Sequence, residues 1–131
     1  MQRFDVCNGD ADGLCAALQW RLHEPAPATL VTGLKLEIAL LERVPAHRGD
    51  EVNVFDLSMQ RNRAALLHLL DAGVRIRYFD HHAVRDIPSH PALEVDGRLR
   101  SFRSWNQSGV RPLRISSSRL RFARRSRSGR R

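Results

Sequence analysis

Apolar and polar positions alternate in short runs along the first hundred residues. Each run ends on small, acidic or imidazole side chains. Arg3-Phe4-Asp5-Val6-Cys7, Thr29-Leu30-Val31-Thr32, Glu51-Val52-Asn53-Val54-Phe55 and Val74-Arg75-Ile76-Arg77-Tyr78-Phe79 follow a period of two or are rich in β-branched and aromatic residues. They predict strands over 3–7, 29–32, 51–55 and 74–79, with a short fifth at 92–95. The stretches between them change to helical spacing. A helix is predicted over 14–23, with Leu14, Ala17, Leu18 and Leu22 on one apolar face. A second is predicted over 34–44, with Leu36, Ala39, Leu40 and Arg43 spaced for one face. A third is predicted over 60–72, with Leu66, Leu67, Leu69 and Leu70 supplying its core side. Pro25 and Pro27 stop the first helix, and Gly33 breaks the second strand. Ser58 is placed to cap the third helix, and Gly73 is placed to end it. Residues 45–50 form a turn-rich link, and Pro88 and Pro91 mark another turn.

This alternation of strand and helix predicts an α/β fold with a parallel sheet and crossover helices. The carboxyl ends of parallel strands share one edge of the sheet, where open α/β sheets bind ligands. The segments that leave these strands are Asn8-Gly9-Asp10-Ala11-Asp12-Gly13 after the first, Asp56 after the third and Asp80-His81-His82 after the fourth. They are expected to converge on that edge.

At 131 residues the chain is at most one domain of ordinary size, and no run of about 18 apolar residues predicts a membrane span. The first residues lack the long apolar region of a secretory signal. Cys7 and Cys15, the only cysteines, both lie in apolar segments and read as small core residues. These features predict a cytoplasmic protein with no membrane association. The net charge of +8 hides a division. Residues 1–97 carry ten basic and fourteen acidic residues, net −4, whereas residues 98–131 carry twelve arginines and no acid, net +12. The second segment is mostly Arg and Ser. It cannot bury enough apolar surface to offset its chain entropy and is expected to be a disordered basic tail.

The residues at the strand ends suit metal chemistry. Carboxylate oxygens and imidazole nitrogens together bind Mn²⁺, Fe²⁺ or Zn²⁺. Two divalent ions about 3.5–4 Å apart can activate water and neutralise charge on phosphate oxygens. Asp56, from the middle of the sheet, is the natural bridge between two ions. Asp10 and Asp12 can point to different ions, His81 can be a ligand, His82 can donate to phosphate, and Asp80 can orient a histidine. Each piece also has a plainer reading. Asp10 to Gly13 alone reads as a turn with helix capping, Asp56 as a strand-end residue, and His81 and His82 as solvated turn residues. Lys35 and Arg85 lie near the same edge and could steer phosphate. His23, His47, His68 and His90 show no metal-like spacing, and Trp20 reads as packing.

In this order and spacing, Asn8-Gly9-Asp10-Ala11-Asp12-Gly13, Asp56 and Asp80-His81-His82 resemble the DHH phosphoesterase superfamily, in particular its RecJ-like and oligoribonuclease-like members. The resemblance covers about residues 1–90. It implies a hydrolase of phosphodiester, nucleotidyl bonds that uses two Mn²⁺ ions, with Mg²⁺ or Co²⁺ as substitutes. Asp10, Asp12, Asp56 and His81 would then be metal ligands, Asp56 bridging, and His82 would contact phosphate. The family's further Asp, well beyond the Asp-His-His, has no counterpart, because no acid follows Asp96. The resemblance therefore implies an incomplete domain over 1–97.

Two other readings stand beside the enzyme. An arginine-rich tail attracts nucleic acid without sequence preference, with Phe102, Trp105 and Phe122 available to stack on bases. Alternatively the chain is a non-functional truncated product. An acid-free Arg/Ser segment is what a GC-rich gene yields when read out of frame, and the abrupt charge change near residue 97 motivates that expectation.

Overall fold

The computed structural model describes residues 1–34, 36–80 and 86–96. Five strands form one wholly parallel sheet: β1 (Arg3–Asn8), β2 (Thr29–Gly33), β3 (Glu51–Phe55), β4 (Arg75–Phe79) and β5 (Leu93–Asp96). Their order is β2-β1-β3-β4-β5. Helix α1 (Ala11–His23) joins β1 to β2, and α2 (Arg63–Asp71) joins β3 to β4. The α/β class and the parallel sheet read from the sequence are both present.

Alternation along the strands divides the sheet into two unlike faces. Phe4, Val6, Val52, Val54, Ile76 and Tyr78 point to one side and are at most 3% exposed. There they pack with Leu40, Leu41, Leu57, Met59 and the α2 residues Leu66, Leu69 and Leu70 in the main core. The opposite face carries α1 and is apolar only near the carboxyl ends of the strands. Cys7, Phe55 and Phe79 pair in register there and pack on Ala16, Ala17 and Trp20 of α1. Phe55 and Phe79 stack with centroids 5.1 Å apart, and the Trp20 ring lies 4.8 Å from Phe79. Burial pushes the Cys7 thiol up, which fits its reading as an inert core residue.

Nearer the strand starts the same face is a ladder of charge. Arg3, Glu51 and Arg75 align in one row, and Asp5, Asn53, Arg77 and Glu94 in the next. Arg3 bonds Glu51 at 2.9 Å and Glu24 at 3.0 Å, and Arg75 also pairs with Glu51. Arg77 reaches Glu24 at 3.1 Å while its guanidinium sits over the Trp20 ring. Buried Asp5 accepts from Arg21 at 2.7 Å and from Asn53 at 3.0 Å. Glu24 caps the end of α1, so these pairs clamp that end to the sheet.

The ladder gives stability a defined acid limit. Burial alone would raise the Glu51 pKa, but the hydrogen bond from Arg3 and the charges of Arg3, Arg75 and Arg77 hold it below its ordinary value. The Asp50 carboxylate accepts the backbone N–H groups of Gln2 and His47, each at 2.8 Å, and is also held low. A depressed folded-state pKa contributes stability that is complete above the unfolded value of about 4 and is lost as pH falls through the folded value. The urea midpoint is therefore expected to be flat from neutral pH to about 5 and to fall steeply below about 4. Glu51→Gln is expected to flatten part of that fall. An equally steep acid slope in the variant would count against this assignment.

Several elements depart from the sequence reading. Among the described residues of 34–44 the expected helix does not form, and one 3₁₀ turn (Leu40–Arg43) stands there instead. Buried Asn62 supplies the reason. Its side-chain amide donates to Ile38 O at 2.8 Å and its side-chain oxygen accepts from Leu41 N at 3.2 Å, taking groups that a helix would pair internally. Asn62 also stands at the N-cap of α2, in place of Ser58, and makes no side-chain capping bond because its side-chain oxygen, the acceptor a cap would use, takes the N–H of Leu41. The helix accordingly spans 63–71 rather than 60–72, and Gly73, at φ 86°, follows its end as expected. Helix α1 starts at Ala11, three residues early. Its inward side is Gly13, Ala17 and Trp20, whereas Leu14, Leu18 and Leu22 are 41%, 58% and 72% exposed. Small residues let α1 approach the Phe55–Phe79 stack closely, and this fixes its rotation. Gly33 continues β2 instead of breaking it. The tail over 98–131 lies outside the described residues. No described helix is long and apolar enough to cross a membrane.

Candidate functional site

The strand order reverses direction after β1: β2 lies on one side of it and β3 on the other. In doubly wound sheets of order 2-1-3-4-5, ligands bind outside the carboxyl ends of the strands at this switch point. The loop bearing Asp10 and Asp12 leaves β1, Asp56 directly follows β3, and Asp80 directly follows β4. Cys7, Phe55 and Phe79 share one register row, so the three exits start level with one another on adjacent strands. Asp56 N donates to Phe79 O at 3.0 Å, which ties the Asp56 exit to the backbone just before Asp80.

Each exit has a local cause. Asp10 is the N-cap of α1, its side chain accepting from Gly13 N at 2.9 Å, and Asp12 lies in the first turn. The capping reading of this motif is therefore realised, and one Asp10 oxygen is engaged by it. The loop is tight: a Cβ on Gly13 would lie 2.5 Å from Asn8 O, which no side chain tolerates. Gly9 N donates to Gly33 O at 3.1 Å, pinning the loop to the end of β2. Asp56 adopts φ 53°, in the left-handed region that residues other than glycine seldom enter. Beneath this turn, Tyr78 donates its hydroxyl to Leu57 O at 2.8 Å. Burial, with the neighbouring Asp80 carboxylate, drives the Tyr78 pKa far up, so the phenol remains a donor. Asp80 is 4% exposed. A non-glycine residue held in a sparsely populated conformation at this edge of the sheet marks a position that the fold over-determines.

Asp10, Asp12, Asp56 and Asp80 thus share the switch-point edge, and hard carboxylate oxygens are the donors that Mn²⁺ and Mg²⁺ prefer. The donor chemistry fits such ions. Among the described residues, however, no three His, Cys, Asp or Glu side chains are gathered as a metal-holding group. His81, His82, Lys35 and Arg85 lie outside the described residues. The concave region lined by Glu51, Asn53, Arg75, Arg77 and Glu94 lies toward the strand starts, away from the aspartates, and its arginines are ion-paired. Sequence reasoning missed Tyr78, which supports the Asp56 turn; it read only as one residue of the strand over 74–79. Comparison of the chain with protein-family models, curated proteins and solved structures finds no match.

Proposed function

We propose that the chain carries a metal-dependent phosphoesterase site, of the DHH phosphoesterase kind, that hydrolyses phosphodiester bonds of a nucleotidyl substrate. The observation that supports this most is the placement of Asp10 and Asp12 on one side of the sheet's switch point and Asp56 on the other. In this reading Asp10, Asp12 and Asp56, with His81, hold Mn²⁺. Bound Mn²⁺ supplies Lewis acidity toward the phosphate oxygens and the attacking water. Asp56 presents its carboxylate at the centre because β3 lies between β1 and β4. Asp10 holds the loop in place through its cap on α1, which uses only one of its two carboxylate oxygens. Asp80 orients a histidine, and His82 donates to the phosphate.

Equilibrium dialysis of the full 131-residue chain against Mn²⁺, followed by metal analysis, tests this reading. Saturable uptake that is lost in Asp56→Asn supports it. No uptake, or uptake unchanged by that substitution, removes it. A second reading rests on the twelve arginines of 98–131, whose charge favours non-specific nucleic-acid binding. That binding would survive Asp56→Asn, fall steeply with salt and disappear on deletion of 98–131.

A further inference from the structure

The sheet edge farthest from β5 carries two features that the proposed site does not use. The first is apolar. Leu14, Leu18 and Leu22 follow one another at four-residue spacing and form a single stripe along α1. Trp20 leans toward β4, where it meets Phe79, whereas Arg21 reaches the other way, to Asp5 of β1 and to Ala28 O just before β2. At about 100° per residue, Leu14 and Leu18 fall on the Arg21 flank and so border β2, whereas Leu22 turns to the side of α1 away from the sheet. Leu30 pairs in register with Asp5, which faces α1, so Leu30 stands on the same face of the sheet; it is 42% exposed. Helix and strand together present four leucines to solvent.

The second feature is the strand edge itself. β2 is outermost in the sheet, and no described strand lies beyond it. Thr29-Leu30-Val31-Thr32-Gly33 contains no charge and no proline, nor do Ala28 and Leu34 on either side. Its register with β1 runs without a bulge. Natural sheets guard such edges with charge, proline, bulges or a covering segment. Here the outer backbone of an uncharged strand lies beside an apolar stripe.

We propose that β2 and the α1 leucine stripe form a homodimer interface, in which a second copy of this chain pairs antiparallel along β2 about a two-fold axis. The occupant follows from self-complementarity. A two-fold axis at this edge sets β2 against its own copy and continues the sheet across both chains. It also places each leucine strip against an identical strip, as an isologous contact requires. Leu14, Leu18 and Leu30 supply on the order of a third of the roughly 800 Å² per partner found in standard interfaces, and the paired strand edges add to it. The inference uses none of the chemistry proposed for the aspartate edge.

Sedimentation equilibrium of the full chain between ~1 and ~100 μM, in salt high enough to suppress binding through the arginines, tests it. Leu18→Glu and Leu30→Lys alter exposed positions, and circular dichroism checks that they fold. Leu67→Glu, on α2 and 38% exposed, is the control on the other face of the sheet. The two-chain mass is expected for the unaltered protein and for Leu67→Glu. Leu18→Glu and Leu30→Lys are expected to raise the dimer Kd at least ~100-fold and sediment as single chains. A single-chain mass for the unaltered protein throughout the range would overturn the proposal. So would a dimer unmoved by both variants, or a mass that grows with concentration without a plateau.

Discussion

Asp56→Asn is expected to lower Mn²⁺-supported hydrolysis of short oligonucleotides about a thousandfold while leaving the fold intact. The size follows from the proposed role. Charge stabilisation by a bound metal is worth several kcal/mol, and each 1.36 kcal/mol is tenfold in rate. The selectivity follows from the backbone. Asp56 sits at φ 53°, and asparagine enters the left-handed region as readily as aspartate. Its N–H would still donate to Phe79 O. The substitution therefore removes the negative charge while keeping the size of the side chain and the backbone turn. Initial rates with and without Mn²⁺, beside urea midpoints for both proteins, separate the two effects. A variant as active as the parent would sink the assignment of Asp56. A variant that unfolds would show instead that the carboxylate is structural.

Leu66→Ala is expected to cost about 2–5 kcal/mol, the range for emptying a fully buried leucine site. Leu66 is 0% exposed and lies in the main core with Leu40, Leu41, Val54, Ile76 and Tyr78. It belongs to the one described α-helix on this face, wedged between the sheet and the 3₁₀ turn that carries Leu40 and Leu41. For a domain of this size such a loss lowers Tm by roughly 10–25 °C, a large fraction of a typical total stability. Its neighbour Leu67 is 38% exposed, and Leu67→Ala is expected to cost less than about 1 kcal/mol. Thermal melts of the two variants check this contrast. Equal losses would mean that α2 is rotated from the orientation described here.

The same contrast shows where sequence reading stops. Leu66, Leu67, Leu69 and Leu70 are chemically alike in the sequence, and only packing against Ile76 and Tyr78 distinguishes Leu67 from the others. In α1 the sequence favoured Leu14, Ala17, Leu18 and Leu22 for the inward side; Ala17 is there, but Gly13 and Trp20 join it in place of the three leucines. A flat aromatic stack on the sheet selects small side chains and one ring over a leucine stripe, and that stack is assembled from two neighbouring strands whose phenylalanines are far apart in the sequence. The missing helix over 34–44 has a similar origin. Its residues have adequate helical spacing, but Asn62, more than twenty residues away, competes for their backbone groups. Local patterns cannot carry such information.

At the candidate site the residues of each strand exit were legible, because a strand that ends on aspartate announces itself by the break in alternation. That Asp10 caps α1 was legible as one of two readings, and the structure realises it. The strained backbone at Asp56 and the Tyr78 hydroxyl beneath it were not, since both depend on how β3 and β4 pair.

By itself the sequence determined the number and approximate bounds of the strands, their parallel arrangement through crossovers, and which strands end on aspartate. These are consequences of side-chain periodicity and turn chemistry within about ten residues. Only the tertiary structure decided the order β2-β1-β3-β4-β5, and with it the switch point that sets Asp10 and Asp12 opposite Asp56. Arg3 pairs with Glu51 and Glu51 with Arg75, partners some 24–48 residues apart. Which strand becomes a neighbour depends on the face each crossover takes and on the burial it achieves there. Both are properties of the assembled layers, and neither is written in any one segment.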